Sequence, residues 1–169
     1  MLPATLKGFT VFVDGFGYLG RLNSGQLPKL TIKTEEHRDG GMDAPVELDM
    51  GQEKMEASYE FDEYDPKLLT LWGLLDGSTK SLTLRGSMEN EQGDTIAIVG
   101  ELRGIVKESD PGDWKAGSTK DAKLKLTHAV RYYHLTVDGQ EVYEIDAENL
   151  IRSVGGVDQL AARRQALGV

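Results

Sequence analysis

Apolar and polar side chains alternate with a period of two along most of this chain, the pattern of antiparallel strands with one buried face. Leu30, Ile32 and Thr34 alternate with Thr31, Lys33 and Glu35, and Val46, Leu48 and Met50 with Glu47 and Asp49. Met55, Ala57, Tyr59 and Phe61 alternate with Glu56, Ser58 and Glu60. Further strands are predicted over residues 9–14, 82–88, 95–107, 123–137 and 141–145. Between the last two, Asp138-Gly139 suits a tight hairpin turn whose two central residues take positive φ. Gly100 and Gly104 inside one strand predict a bend or bulge.

Two segments carry helix signals. Asp65-Pro66 reads as an N-cap followed by proline in the first turn; Leu68, Leu71, Trp72 and Leu75 then share one face, and Gly77 is placed to end the run. A second, short helix is predicted from Asp158 to Leu167, capped by Asp158 and ended near Gly168, with Arg163 and Arg164 close to its apolar side. Strands on both sides of a lone helix predict a mainly β fold: an antiparallel β-sandwich or barrel with one covering α-helix and a short C-terminal helix. No repeat or linker divides the chain, so residues 1–169 are expected to form a single domain.

The length of 169 residues suffices for that fold without staples. A domain of this size buries roughly 70% of the surface its unfolded chain exposes. There is no cysteine, which removes thiolate nucleophiles, redox pairs and thiolate zinc sites. No window approaches the roughly 20 consecutive apolar residues of a membrane span, and the N-terminus lacks the layout of a secretory signal. Synthesis in a cytoplasm without membrane anchoring is the expectation.

The net charge of −9 is unevenly placed. Residues 35–65 hold twelve acids against Arg38 and Lys54, a net of −10, so the rest of the chain sums to +1. A phosphate backbone brought near that stretch would be repelled, because nucleic-acid affinity depends on counterion release to Lys and Arg. Stable DNA binding is not expected there.

Chemical motifs are few. Gly15-Phe16-Gly17-Tyr18-Leu19-Gly20 is a literal GxGxxG after a strand, but a dinucleotide site needs a helix to open at the last glycines. The continuation through Gly25 and Pro28 cannot make one, which favours a glycine-rich hairpin turn, and no cofactor is expected. His37, His128 and His134 form no HxH or HExxH pair; the last two, six strand residues apart, stand roughly 20 Å from each other. A metal site is therefore not expected. A dozen acids alternating along strands read as a solvated surface rather than a perturbed catalytic pair, and catalytic residues are not assigned. A small-molecule enzyme using paired carboxylates is the alternative of a different class.

Two loops stand out. Gly40, Gly41, Met42, Asp43, Ala44 and Pro45 join two acidic strands, and read either as a surface turn or as an arm whose Met and Ala dock into a neighbouring copy. The loop over residues 110–117 presents Trp114 between turn-forming residues, a position suited to an interface anchor or loop lid.

Taken together, GGMDAPVELDMG (40–51), KMEAS (54–58), LRG (102–104), DPGDWKAG (110–117), VDGQEVYEID (137–146) and GVDQLAARRQALG (156–168) closely resemble the FII-type major tail tube proteins. That family builds the inner tube of contractile phage tails and R-type pyocins. The likeness runs almost the whole length and is weakest over residues 62–92. It implies a structural virion protein whose hexameric rings stack into a tube, with strands joining across subunits into one barrel. It also implies a surrounding sheath, a tape measure protein, baseplate and tail-end proteins as partners, and DNA passing through without stable binding. On that basis Glu47, Asp49, Glu56 and Glu60 are expected to face the bore, while Val46, Leu48, Met55, Ala57 and Tyr59 fill the subunit core. The loop from Gly40 to Pro45 is expected to contact other subunits or rings.

Overall fold

The computed structural model describes residues 2–73, 79–117 and 122–169. In chain order the elements are β1 (Thr5–Val13), β2 (Phe16–Gly17), β3 (Leu22–Gln26), β4 (Ile32–His37), β5 (Val46–Gln52), β6 (Met55–Phe61) and α1 (Pro66–Leu69). There follow β7 (Lys80–Glu89), β8 (Thr95–Asp110), β9 (Leu124–Val137), β10 (Gln140–Asp146), β11 (Ile151–Val154), β12 (Val157–Asp158) and α2 (Ala161–Leu167). The fold is mainly β, and the strands pair antiparallel throughout the described sheets.

Strands β7 to β12 follow one another in space as in sequence, with β1 added beyond β7 and β2 at the end of that path. The long β8 and β9 form the spine. Along one edge β9 bonds to β8; along the other, its first half takes β6, from Phe61 opposite Leu124 to Met55 opposite Val130, and its second half takes β10. The changeover coincides with a register shift in β8 between Arg103 and Gly104. Gly104 is required there because a Cβ at this position would stand 2.0 Å from the Ala129 carbonyl oxygen. The expected irregularity at Gly104 is thus the point where the backbone of one spine strand presses on the other.

The turns follow the sequence closely. Asp138 (φ 51°) and Gly139 (φ 74°) make the β9–β10 turn, and Asp14 (φ 48°) with Gly15 (φ 84°) makes the β1–β2 turn. Tyr18 then inserts into the core, and no helix opens at Gly20, which removes the structural context a dinucleotide fingerprint needs.

One buried cluster joins these elements. Met55, Ala57, Tyr59 and Phe61 of β6 meet Leu124, Leu126 and Val130 of β9, Leu82 and Leu84 of β7, and Leu102 and Val106 of β8. Leu68 of α1 closes one side. Each such side chain contributes roughly 1.5–3 kcal/mol on leaving water.

Three expectations are corrected. Val46 and Leu48 are not core residues: β4 and β5 pair with each other alone among the described strands, leaving Val46 45% and Leu48 47% exposed. The helix predicted from Asp65 to Gly77 is a single turn. Asp65 caps it by accepting from the Lys67 N–H at 2.8 Å, but beyond Thr70 the backbone turns to β8, where the Gly73 N–H donates to the Val106 carbonyl and the Trp72 indole to the Lys107 carbonyl. Leu75 and Gly77 lie outside the described residues. Finally, α2 starts at Ala161 rather than at Asp158. The Asp158 carboxylate accepts from the Leu160 N–H at 3.0 Å and pairs with Arg164, and Gly168 (φ 73°) ends the helix.

Candidate functional site

The β4–β5 arm stands apart from the main sheet, and its cross-strand register sorts its side chains. Residues opposite one another in an antiparallel pair share a face. His37 lies opposite Val46 and Glu35 opposite Leu48, which puts these two apolar side chains on one face with an imidazole and a single carboxylate. Glu36 lies opposite Glu47 and Thr34 opposite Asp49, which makes the other face acidic. The Thr34 hydroxyl donates to Glu47 at 3.2 Å. Directly opposed like charges destabilise a pair, and a lone two-stranded hairpin is marginal in water.

At the tip, the Met42 N–H donates to the Asp39 carbonyl, and the Arg38 guanidinium donates to the Met42 carbonyl at 3.3 Å. The Met42 sulfur accepts from the Asp39 N–H, so this side chain folds over its own turn. Gly40, Gly41, Asp43, Ala44 and Pro45 are exposed around it.

The four acids expected to act together divide between two settings. Glu47 and Asp49 belong to the arm, where Asp49 has Arg152 at 3.9 Å. Glu56 and Glu60 lie on β6, on the side away from the core. Glu56 pairs with Lys107 and with Lys54, the latter at 3.0 Å; Glu60 pairs with Lys123 at 3.0 Å and accepts from the Asn23 amide at 2.6 Å. These partners, Lys107 foremost for Glu56 and Lys123 for Glu60, hold both carboxyls below the usual carboxylate range. Such groups stay ionised and are poorly suited to donate a proton near neutrality. Lys107 and Lys123 come from distant sequence, brought here by the β6–β9 and β8–β9 registers, whereas Lys54 is a sequence neighbour of Glu56.

Trp114 is 82% exposed, with its indole donating to the Tyr64 hydroxyl at 3.0 Å, while Tyr64 in turn donates to the Pro111 carbonyl. Trp72, which the helical pattern assigned to a buried face, is instead 64% exposed. Its misassignment follows from reading a helix where the chain makes a bridge to β8.

The histidines occupy separate environments. His128 is fully buried with Nδ1 3.4 Å from the Tyr59 hydroxyl, and burial pulls its imidazole down to about 4 against a smaller upward effect of the Gly104 backbone. His134 lies between Glu141 at 3.1 Å and Glu101 at 3.5 Å. Among the described residues, no three His, Cys, Asp or Glu side chains converge as a metal site.

The model of the family described as phage tail tube protein FII matches residues 3–168. The chain belongs to that family. The tail tube protein of Escherichia phage P2 is 34% identical over 172 residues, covering 99% of each chain. The major tail tube protein of Serratia phage KSP20 is 34% identical over 153 residues, covering 89% of this chain and 86% of its own. Among solved structures, the chain resembles one in the sheath–tube complex of an extracellular contractile injection system, PVC, in its extended state (TM-score 0.60, 16% identity, 79% of this chain and 91% of that one). It also resembles one from the anti-feeding prophage baseplate (TM-score 0.57, 17% identity, 80% and 97%). The phage tail tube protein FII family is structural, not enzymatic, and its members are virion components.

Proposed function

We propose that residues 1–169 form one domain that is the repeating unit of the inner tube of a contractile tail, closing into hexameric rings that stack inside a sheath. The observation that carries this reading is the β4–β5 arm, whose strands pair only with each other among the described strands and are exposed from Ile32 to His37 and from Val46 to Met50. Exposed edges and an unsupported hairpin are liabilities in a monomer and become useful when another copy covers them. The sandwich or barrel of each subunit is completed across ring neighbours in this reading.

The carboxylates of Glu47, Asp49, Glu56 and Glu60 line the bore, where an acidic wall keeps passing DNA from adhering, since adhesion to a basic wall would grow with every phosphate contacted. The arm tip from Gly40 to Pro45 and the Trp114 loop serve contacts between subunits or rings. The sheath, a tape measure protein and baseplate or tail-end proteins are the other partners, and the chain is made in the host cytoplasm before entering the virion tail.

Negative-stain microscopy of the purified chain and of virion tails tests the assembly. Rings and stacked tubes are expected; monomers alone at high concentration, with no such chain in tails, would remove the reading. For the bore, Glu47→Lys with Asp49→Lys is the probe: it reverses two charges of the arm while leaving the Lys107 and Lys123 pairings of β6 intact, though Asp49→Lys removes the Arg152 contact. Rings should still form while DNA ejection slows, and normal ejection by that double variant would exclude a lumenal arm face.

A further inference from the structure

The chain contains four Asp-Gly pairs, at 14–15, 39–40, 76–77 and 138–139. An aspartate followed by glycine is chemically vulnerable, because the glycine nitrogen has no side chain beside it and can close onto the aspartate carboxyl carbon. How readily it does so depends on how firmly the backbone is held. Asp76-Gly77 lies outside the described residues.

Asp14-Gly15 and Asp138-Gly139 are two-residue hairpin loops, closed by the Val13–Phe16 and Val137–Gln140 pairs. Their aspartates have positive φ, 48° and 51°, and donate their N–H groups to the Ser81 carbonyl at 3.2 Å and the Ala97 carbonyl at 2.8 Å. Turning the glycine nitrogen onto either aspartate side chain requires the tight turn to open first.

Asp39-Gly40 has no such frame. It lies in the loop over residues 38–45, beyond the last β4–β5 pair at His37 and Val46. The Asp39 side chain is 75% exposed and meets His37 Nε2 at 3.2 Å, itself an exposed group for which water competes. A Cβ added at Gly40 would meet nothing within 4 Å, and among the described residues nothing accepts from the Gly40 N–H. Exposed loop tips of this kind reorient at little cost.

We propose that the fold directs spontaneous isoaspartate formation to Asp39 in the unassembled protomer. The carboxylate takes up one proton from water; the Gly40 nitrogen then bonds to Asp39 Cγ, and its hydrogen leaves with the carboxyl hydroxyl as water. A second water opens the resulting cyclic imide. Where it breaks the bond between the Gly40 nitrogen and the original Asp39 carbonyl carbon, the backbone runs through Cβ and Cγ and is one methylene longer. Only water and a proton enter these steps. The Asp39 carbonyl oxygen that now accepts from the Met42 N–H at 3.1 Å becomes part of a free carboxylate. An aged protomer therefore presents a reshaped arm tip with its charge displaced.

The test ages the full chain as dilute protomer in warm neutral buffer. Cleavage after lysine separates peptides 8–29, 34–54 and 126–169, each holding one described Asp-Gly pair, and an isoaspartate-specific methyltransferase counts the rearranged residues in each. Label in 34–54 should exceed that in either hairpin peptide by at least tenfold, which corresponds to about 1.4 kcal/mol of protection by the turn. In urea the three peptides should label alike. Equal label or no label in the folded chain, or hairpin peptides in the lead, overturns the proposal. So does a lead of 34–54 that persists in urea, because local sequence and not the fold would then be the cause. Asp39→Glu should clear the label from 34–54; label remaining there would belong to Asp43 or Asp49 and would also overturn it.

Discussion

At the scale of single residues, chemistry is set by what the fold places beside each side chain. His128 shows this most sharply. Its imidazole is held neutral by burial, with a folded value of about 4 against an ordinary 6.5. Protonation therefore favours the unfolded chain: the stability associated with neutral His128 is whole above pH 6.5 and is lost as pH falls toward 4. Over that window the loss amounts to about 3 kcal/mol. Urea unfolding of dilute protomer at pH 7, 5 and 4 should show this acid slope, and His128→Gln should flatten it. The pairs at Glu56 and Glu60 have their carboxyls lowered, so their contribution disappears only at more acid pH, as those carboxyls become protonated. Gly104 makes a second residue-scale prediction. Gly104→Ala should destabilise the protomer by about 2–4 kcal/mol, because the clash is with backbone rather than a flexible side chain, and a shift in the denaturation midpoint would measure it. The conformational roles of Asp138, Gly139 and Gly104 were legible in sequence because local chain geometry demands them. The partners of Glu56 and Glu60 were not, because Lys107 and Lys123 reach them only through strand register.

At the scale of elements, period-two patterning located the strands well but could not say whether the apolar face of each would be covered. β6 and β5 have the same alternation; one is buried because β9 and the core lie against it, the other is exposed because only β4 pairs with it. The overlong first helix has a similar origin. The spacing of Leu68, Leu71 and Trp72 fits a helical face, yet backbone bonding from Gly73 to Val106 draws the chain into contact with β8. For the arm, the opposed Glu36 and Glu47 make its isolated form weak. Glu36→Lys should replace that repulsion with a cross-strand ion pair worth about 0.2–1 kcal/mol. Amide exchange of the unassembled protomer should then slow across β4 and β5, whereas unchanged exchange would show that the opposed charges do not limit the hairpin.

At the scale of the whole molecule, the mainly antiparallel fold was readable from pattern, turns and family resemblance, while its division around β9 was not. That division depends on one long strand changing neighbours, and a linear pattern carries no record of which strand lies alongside. Trp114 offers an optical report on assembly. If its loop enters an interface, tryptophan emission should shift to shorter wavelength as tubes form, and Trp114→Phe should remove most of that shift; emission unchanged on assembly would leave the loop outside the interface. The route from arm to spine has a mechanical consequence. The arm leads through Glu53 and Lys54 directly into β6, whose entire length from Met55 to Phe61 is laddered to β9. Tension along the root of the arm would load those rungs together in shear instead of peeling them one by one, and β9 would divide the pull between both halves of the sheet. The arm is thus rooted in a fully paired strand, so pulling on it is resisted by every rung from Met55 to Phe61 at once.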